Sequence, residues 1–280
     1  MTPDEYCAQR AAQSGSSFHY SFRLLPPDRR RAITALYSFC REVDDVVDEV
    51  SDPEVARAKL AWWRGEIAAV YAGTPAHPVG RALAAANRDH PLPQALLQTV
   101  IDGMEMDLDQ VRYADFAALE TYCHRVAGVV GLMSAEIFGY EDPATRDYAR
   151  DLGIAFQLTN IIRDVGEDAR RGRIYLPQDE LERFGVAPSD VLRCRSTPGF
   201  TALMQMQVAR ARTWYDRALA QLPARDRRAQ RAGLAMAAIY RALLDEIARD
   251  GCRVLDRRIA LTPLRKLWIA TRTAWTARSP

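Results

Sequence analysis

Helical periodicity runs through almost the whole chain, and no stretch alternates apolar and polar residues as a half-buried strand does. This constrains the fold more than anything else in the sequence. The segment Glu54–Ala72 sets Leu60, Trp63, Ile67, Val70 and Tyr71 on one face, and Gly73 with Pro75 beyond it closes the helix. Ser51-Asp52-Pro53 reads as a cap followed by proline in the first turn, and Asp142-Pro143 repeats the device. Asp115 is expected to cap a long helix reaching Gly139. Further helices are expected from Thr145 to Arg171, stopped by Gly172, then over Thr201–Leu222 and Arg227–Arg249. Breaks such as His90-Pro91-Leu92-Pro93 are turn-sized. The pattern predicts one all-α domain over residues 1–280.

Bulk properties exclude several classes. A chain of 280 residues, 48% hydrophobic and 26% charged, is large enough to bury about three quarters of its unfolded surface. A formal charge of +2 with no basic block argues against nucleic acid as a partner. Cys7, Cys40, Cys123, Cys194 and Cys252 are odd in number and scattered, which disfavours a disulfide framework or zinc site and suits a reducing compartment. The start, MTPDEYCAQR, lacks the basic and apolar regions of a signal peptide. The strongest apolar uncharged run, Val126 to Ala135, is about half the ~20 residues of a membrane span. A cytoplasmic location is expected.

Against this background YSFCREVDDVVDEV, at 37–50, is unusual. Tyr37, Phe39, Val43, Val46, Val47 and Val50 ask for burial, while Asp44, Asp45, Asp48 and Glu49 crowd the same two turns. Asp44 and Asp48, at i and i+4, project from one face about 6 Å apart. QLTNIIRDVGED, at 157–168, repeats the theme: Asn160, Asp164 and Asp168 follow at i, i+4 and i+8, with Gln157 one turn earlier. Exposed, such stripes cost a few tenths of a kcal/mol and need no explanation. Facing inward, they need cations. Oxygen ligands without His or Cys point to Mg²⁺, which binds through few carboxylates plus substrate phosphates. Two stripes, each beside an arginine (Arg41, Arg163), favour a diphosphate site over a solvated face.

These two segments resemble the signature segments of the squalene/phytoene synthase family, head-to-head prenyl transferases of the all-α isoprenoid synthase fold, a helical bundle with a central cavity. SGSSFHYSFRLLPPDRRRAITALYSF and YCHRVAGVVGLMSAEIFG extend the similarity in order over residues 14–185. IDGMEMDLDQVRY followed by YCHRVAGVVGLMSAEIFG most resembles the presqualene diphosphate synthases of bacterial hopanoid biosynthesis.

The resemblance implies condensation of two farnesyl diphosphates to presqualene diphosphate, with release of one diphosphate. It places Mg²⁺, more than one ion, on Asp44, Asp48, Asn160, Asp164 and Asp168. Arg41, Arg163 and Arg173 match phosphate-contact positions, to which Ser17 and Gln157 could add hydrogen bonds. The allylic cation needs aromatic faces without a nucleophile, for which Tyr37, Tyr122 and Tyr240 are candidates. Tyr122 matches a tyrosine assisting proton removal, although the departing diphosphate is an equally good base. Small residues in VAGVVGLMSAEIFG suit either tight helix packing or a prenyl tunnel; the resemblance favours the tunnel for Val126, Ala127, Val130 and Gly131.

Alternatives remain within and outside the family. Phytoene or dehydrosqualene synthase, full squalene synthase and a monomeric terpene cyclase share the chemistry, while some relatives of the fold are non-catalytic assembly proteins. NADPH is not expected. Asp102, Glu105 and Asp109 form a third acidic stripe, read as a solvated face. Arg170 and Arg171 suit a helix C-terminus without any substrate, and the four histidines show no ligand spacing. The tail LTPLRKLWIATRTAWTARSP either packs on the body or rests peripherally on a membrane. Squalene-forming enzymes would act downstream.

Overall fold

The computed structural model describes residues 1–13, 21–50, 52–109 and 112–276. Among them the regular structure is helical: α1 (Pro3–Gln13), α2 (Pro27–Glu49), α3 (Pro53–Ala72), α4 (Pro78–Asp89), α5 (Gln94–Asp109), α6 (Phe116–Cys123), α7 (Val129–Phe138), α8 (Ala144–Arg170), α9 (Gln178–Arg183), α10 (Pro188–Leu192), α11 (Pro198–Gln221), α12 (Arg231–Arg249) and α13 (Pro263–Thr276). An isolated bridge between Arg112 and Ile174 is the sole β pairing among the described residues.

Local chemistry sets the helix ends. The Asp52 carboxylate accepts the Glu54 amide at 2.9 Å at the start of α3, and Thr197 Oγ1 accepts the Phe200 amide at 3.1 Å at the start of α11. The Asp142 carboxylate accepts the Ala144 amide at 3.0 Å, which opens α8. At the other end of α8, Gly172 takes φ +77°, and the reversed chain returns the Arg173 amide to the Asp168 carbonyl at 2.9 Å. That turn folds Arg173 back toward the acidic ends of both long helices.

Two sequence expectations need correction. The helix from Asp115 to Gly139 is not regular: Asp115 does cap it, accepting the Ala118 amide at 2.9 Å, but His124–Gly128 forms a π-turn between α6 and α7. The extra residue rotates the helix face midway, and such turns often accompany functional sites. α12 begins at Arg231 and not at Arg227, because Ala224–Asp226 winds as a short 3₁₀ turn with the Asp226 carboxylate accepting the Glu141 and Asp142 amides.

The buried side chains form two continuous sets. One joins α2, α3, α4 and α5 to the inner face of α7; the other joins α8, α11 and α12. Val126, in the π-turn, packs against both. α7 and α8 meet backbone to backbone: a Cβ on Gly131 would strike the Ala149 carbonyl, and one on Gly153 would strike that of Ala127. These close approaches lie along the wall of a cavity of about 400 Å³ enclosed mainly by α2, the π-turn, α7, α8 and α12. Tight helix packing and a cavity wall coincide along this stripe.

Candidate active site

α2 and α8 both run toward the cavity mouth, so their acidic C-terminal turns lie at one end. Arg41, Asp44, Gln157, Asn160 and Arg163 line the cavity directly, with Tyr37, Tyr122 and Tyr240 below them. Val126, Ala127, Val130 and Gly131 complete one wall. Asp48, Asp164, Asp168 and Arg173 do not line the cavity itself. Ion pairs to the lining residues Arg163 and Arg258 set Asp164 at its rim, and Arg173 pairs with Asp48 one turn beyond Asp44. Asp168 and Arg173 line a small separate hollow with Ile161, Val165 and Tyr175. Ser17 lies outside the described residues.

The rim is a lattice of ion pairs. Arg41 Nη1 donates to Asp44 at 2.6 Å and its other terminal nitrogen to Asp45. Arg163 Nε donates to Asp164 at 2.7 Å. Arg173 Nη1 donates to Asp48 at 2.7 Å while its Nη2 reaches the Val47 carbonyl at 2.7 Å, tying the loop after α8 to α2. Arg171, expected to need no role beyond the helix terminus, also donates to Asp48, at 2.9 Å. It belongs to the rim.

These arginines do not neutralise every carboxylate. Burial pushes the Asp44 carboxyl up to about 7, Arg41 opposing and Asp48, Asp45 and Asp107 reinforcing. Burial, with the charges of Asp164 and Asp48, likewise pushes Asp168 up to about 7. Asp164 is the exception, since its ion pairs with Arg163 and Arg258 outweigh burial and hold it below the usual range. The buried Asn160 Oδ1 has no hydrogen-bond partner, while its amide nitrogen lies 3.5 Å from Gln157 Oε1. Under-neutralised carboxylates around an orphaned amide oxygen are a donor set for a hard cation. Among the described residues no three carboxylate, histidine or cysteine groups converge into a preformed cage. The donors fit a metal that brings water and phosphate ligands of its own.

Three groups were missed in the sequence. Arg258, which donates to Asp164 at 2.9 Å, and Lys266 line the cavity from the C-terminal segment, where no local pattern singles them out. Asp107 was legible: it stands three residues after Met104 and seven after Val100, on the buried face of α5. Its carboxylate accepts Tyr122 Oη at 2.9 Å and Tyr175 Oη at 2.9 Å, beneath a cluster of the Tyr113, Tyr122 and Tyr175 rings with centroids 5.3–5.9 Å apart. Burial pushes Asp107 up to about 6 against those two hydrogen bonds. Tyr122, expected to meet a substrate proton, thus has its own proton committed to Asp107.

An acid-and-arginine rim above an apolar cavity, in a bundle of this form, defines an isoprenoid synthase fold. The chain belongs to the squalene/phytoene synthase family, whose model matches residues 11–265. It is 40% identical over 261 residues to a phytoene synthase of Mycobacterium bovis, covering 91% of this chain and 84% of that one. Phytoene synthase 2 of Solanum lycopersicum is 37% identical over 267 residues, covering 93% and 86% respectively. Other plant relatives are longer, and the chain spans 65% of phytoene synthase 1 of that species. A crystal structure of a dehydrosqualene synthase superposes with TM-score 0.90 at 30% identity, covering 99% of this chain and 97% of that one. The squalene synthase HpnC of Alicyclobacillus acidocaldarius gives TM-score 0.78 at 28% identity over 89% and 94%. The family's reaction is head-to-head condensation of prenyl diphosphates.

Proposed function

We propose that the chain condenses two farnesyl diphosphates head to head into presqualene diphosphate, releasing one diphosphate and one proton. The observation that carries this reading is the under-neutralised rim of α2 and α8 over an apolar cavity. The C15 donor is favoured by likeness to structures named for dehydrosqualene and squalene synthesis. The names of the phytoene synthase relatives favour a second reading, in which a C20 donor is used.

Asp44, Asp48, Asn160, Asp164 and Asp168 would hold Mg²⁺, which when bound supplies Lewis-acid neutralisation of the leaving diphosphate. Arg41, Arg163 and Arg173, joined by Arg171 and Arg258, carry the positive charge that diphosphate oxygens need. Gln157 adds a hydrogen-bonding amide. Tyr37 and Tyr240 face the allylic carbons with π-density and no competing nucleophile. Tyr122 takes up the ring-closure proton only as its own proton passes to Asp107, 2.9 Å away. The apolar walls exclude water until the product leaves.

Peripheral membrane contact would suit this product. On α13, Ile269 and Ala270 are buried and Lys266 lines the cavity, whereas Leu264, Trp268 and Trp275 are exposed beside Arg265 and Arg272. No helix among the described residues is long and apolar enough to cross a membrane. A squalene-forming enzyme would be the next consumer of the product.

The test supplies purified protein with Mg²⁺ and either farnesyl or geranylgeranyl diphosphate, without nicotinamide, and reads products by mass. Presqualene diphosphate from the C15 donor is expected. Phytoene alone, from the C20 donor, would replace this reading with the second.

A further inference from the structure

The helical rise orders the cavity wall from mouth to floor. From Asn160 to Tyr148 along α8 is twelve residues, or about 18 Å, and from Asp44 to Ile33 along α2 is eleven, or about 16 Å. Both helices run toward the mouth, so Tyr148 and Ile33 lie in the deep end, where Ala135 and Phe138 of α7 and Gln230 also line the cavity. α12 enters from the floor: Gly233 stands in its first turn, and Tyr240, two turns on, is coupled to Arg163 at the rim.

At this end one side chain of the wall reaches from α8 to α12. Tyr148 leaves α8, is 1% exposed, lines the cavity and has no hydrogen-bond partner for its hydroxyl. Its tip abuts the bare Cα of Gly233, where a Cβ would come within 2.8 Å of Tyr148 Oη. Real Cβ atoms do not tolerate that approach, so the ring keeps its place because position 233 has no side chain. A buried hydroxyl without a partner does not stabilise the fold. What the oxygen contributes is reach: it carries the ring across to the facing helix.

We infer that Tyr148, seated against Gly233, is the stop that measures prenyl length and restricts the site to C15 chains. This rests on the reading of the site as a prenyl diphosphate condensing centre and adds the residue that selects its substrate. A chain one isoprene unit longer would drive its end into the phenol ring, which close packing keeps from yielding. Overpacking a filled apolar pocket forces its walls to move, and an isoprene unit adds several carbons at once.

The experiment compares geranylgeranyl with farnesyl diphosphate, both as substrates and as binding competitors in the form of unreactive thio-analogues. In Tyr148→Ala the C20-to-C15 ratio of kcat/KM should rise at least about tenfold, and the ratio of binding constants should shift the same way. Tyr148→Phe keeps the ring and should stay within about threefold of wild type. Gly233→Ala should push the ring up the tube and weaken C15 binding, and Tyr148→Phe in the same chain should restore it by removing the colliding oxygen. That pair decides the matter even where Tyr148→Ala does not fold. An unchanged ratio in folded Tyr148→Ala, or no coupling between 148 and 233, overturns the stop while leaving the condensing activity in place. A wild-type chain that accepts C20 as readily as C15 overturns both, whereas one that binds both diphosphates weakly and releases none defeats the enzymatic reading first.

Discussion

Three helices carry acidic stripes of similar spacing, yet the structure treats them differently. On α5, Asp102 and Glu105 are 44% and 39% exposed, and both are matched by one guanidinium from α3: Arg64 reaches Asp102 at 2.5 Å and Glu105 at 2.7 Å. Asp109 is matched by Arg57 at 2.7 Å. On α2 and α8 the stripes face a cavity, two carboxyls are pushed up to about 7, and an amide oxygen is orphaned. Spacing alone therefore does not define a site. A stripe that faces an apolar-walled cavity and is left short of partners does: Asp44, though 34% exposed, opens onto that cavity, and Asn160 Oδ1 beside it has no partner.

The largest expected effects lie at the carboxylates of α2 and α8. Asp44→Asn or Asp164→Asn should lower Mg²⁺-dependent diphosphate release on the order of 10²–10³-fold, while Asp102→Asn leaves turnover unchanged. Equal losses in all three would erase the distinction between rim and ladder. Asp107→Asn should cost about 10²-fold and be non-additive with Tyr122→Phe, because the two share one hydrogen bond. As a base pushed up to about 6, Asp107 should also contribute to the acid limb of wild-type turnover at saturating Mg²⁺, and the asparagine variant should shift that limb while Asp44 and Asp168 still give one.

Much of this was legible in the sequence, for identifiable reasons. Periodicity and caps placed α3, α8 and α11 to within a few residues, since Asp52, Gly73, Gly172 and the flanking prolines act locally. The stripes of 44/48 and 160/164/168 were visible because i, i+4 spacing is itself a geometric statement. The π-turn at His124–Gly128 was not visible, because it depends on how this segment must face α8 once Gly131 meets Ala149 and Gly153 meets Ala127. Arg171 was given a helix-terminus role because its true partner, Asp48, lies far away along the chain. Arg258 and Lys266 were missed for the same reason. Tyr148 carries no local signal in the sequence, and only the bare position at Gly233 shows what its hydroxyl touches.

The deficit at the rim has a pH signature in stability. Asp44 and Asp168 have folded values near 7, above the model-peptide value of about 3.8 that an unfolded chain approaches. The folded state therefore holds more protons between about pH 4 and 7, and stability from these groups is lost as pH rises through that window. Without divalent metal, Asp44→Asn should be more stable than wild type at pH 8, by about 1 kcal/mol or less because the side chain is a third exposed and solvent screens it, with the advantage gone near pH 4. Mg²⁺ should raise the wild-type melting temperature at pH 8 and affect the variant less. Thermal melts at the two pH values, with and without Mg²⁺, check this. Were Asp44→Asn less stable than wild type at pH 8 without metal, Arg41 would already satisfy the carboxylate and the deficit would not exist.

The smallest effect belongs to the ladder of α5. Arg64 binds two carboxylates at once, but all three side chains are about a third or more exposed, so solvent and salt screen the interaction. Arg64→Met keeps much of the aliphatic stem and removes the charge. It should cost less than about 1 kcal/mol of unfolding free energy, and the difference should shrink further at high ionic strength. Turnover and the response to Mg²⁺ should be those of wild type, because Asp102 and Glu105, once unpaired, are exposed enough to find water. Chemical denaturation at low and high salt, followed by a turnover assay, reads both halves of the expectation. A salt-independent loss of several kcal/mol, or a loss of metal response, would move α5 from the ladder to the rim and make the third stripe part of the site.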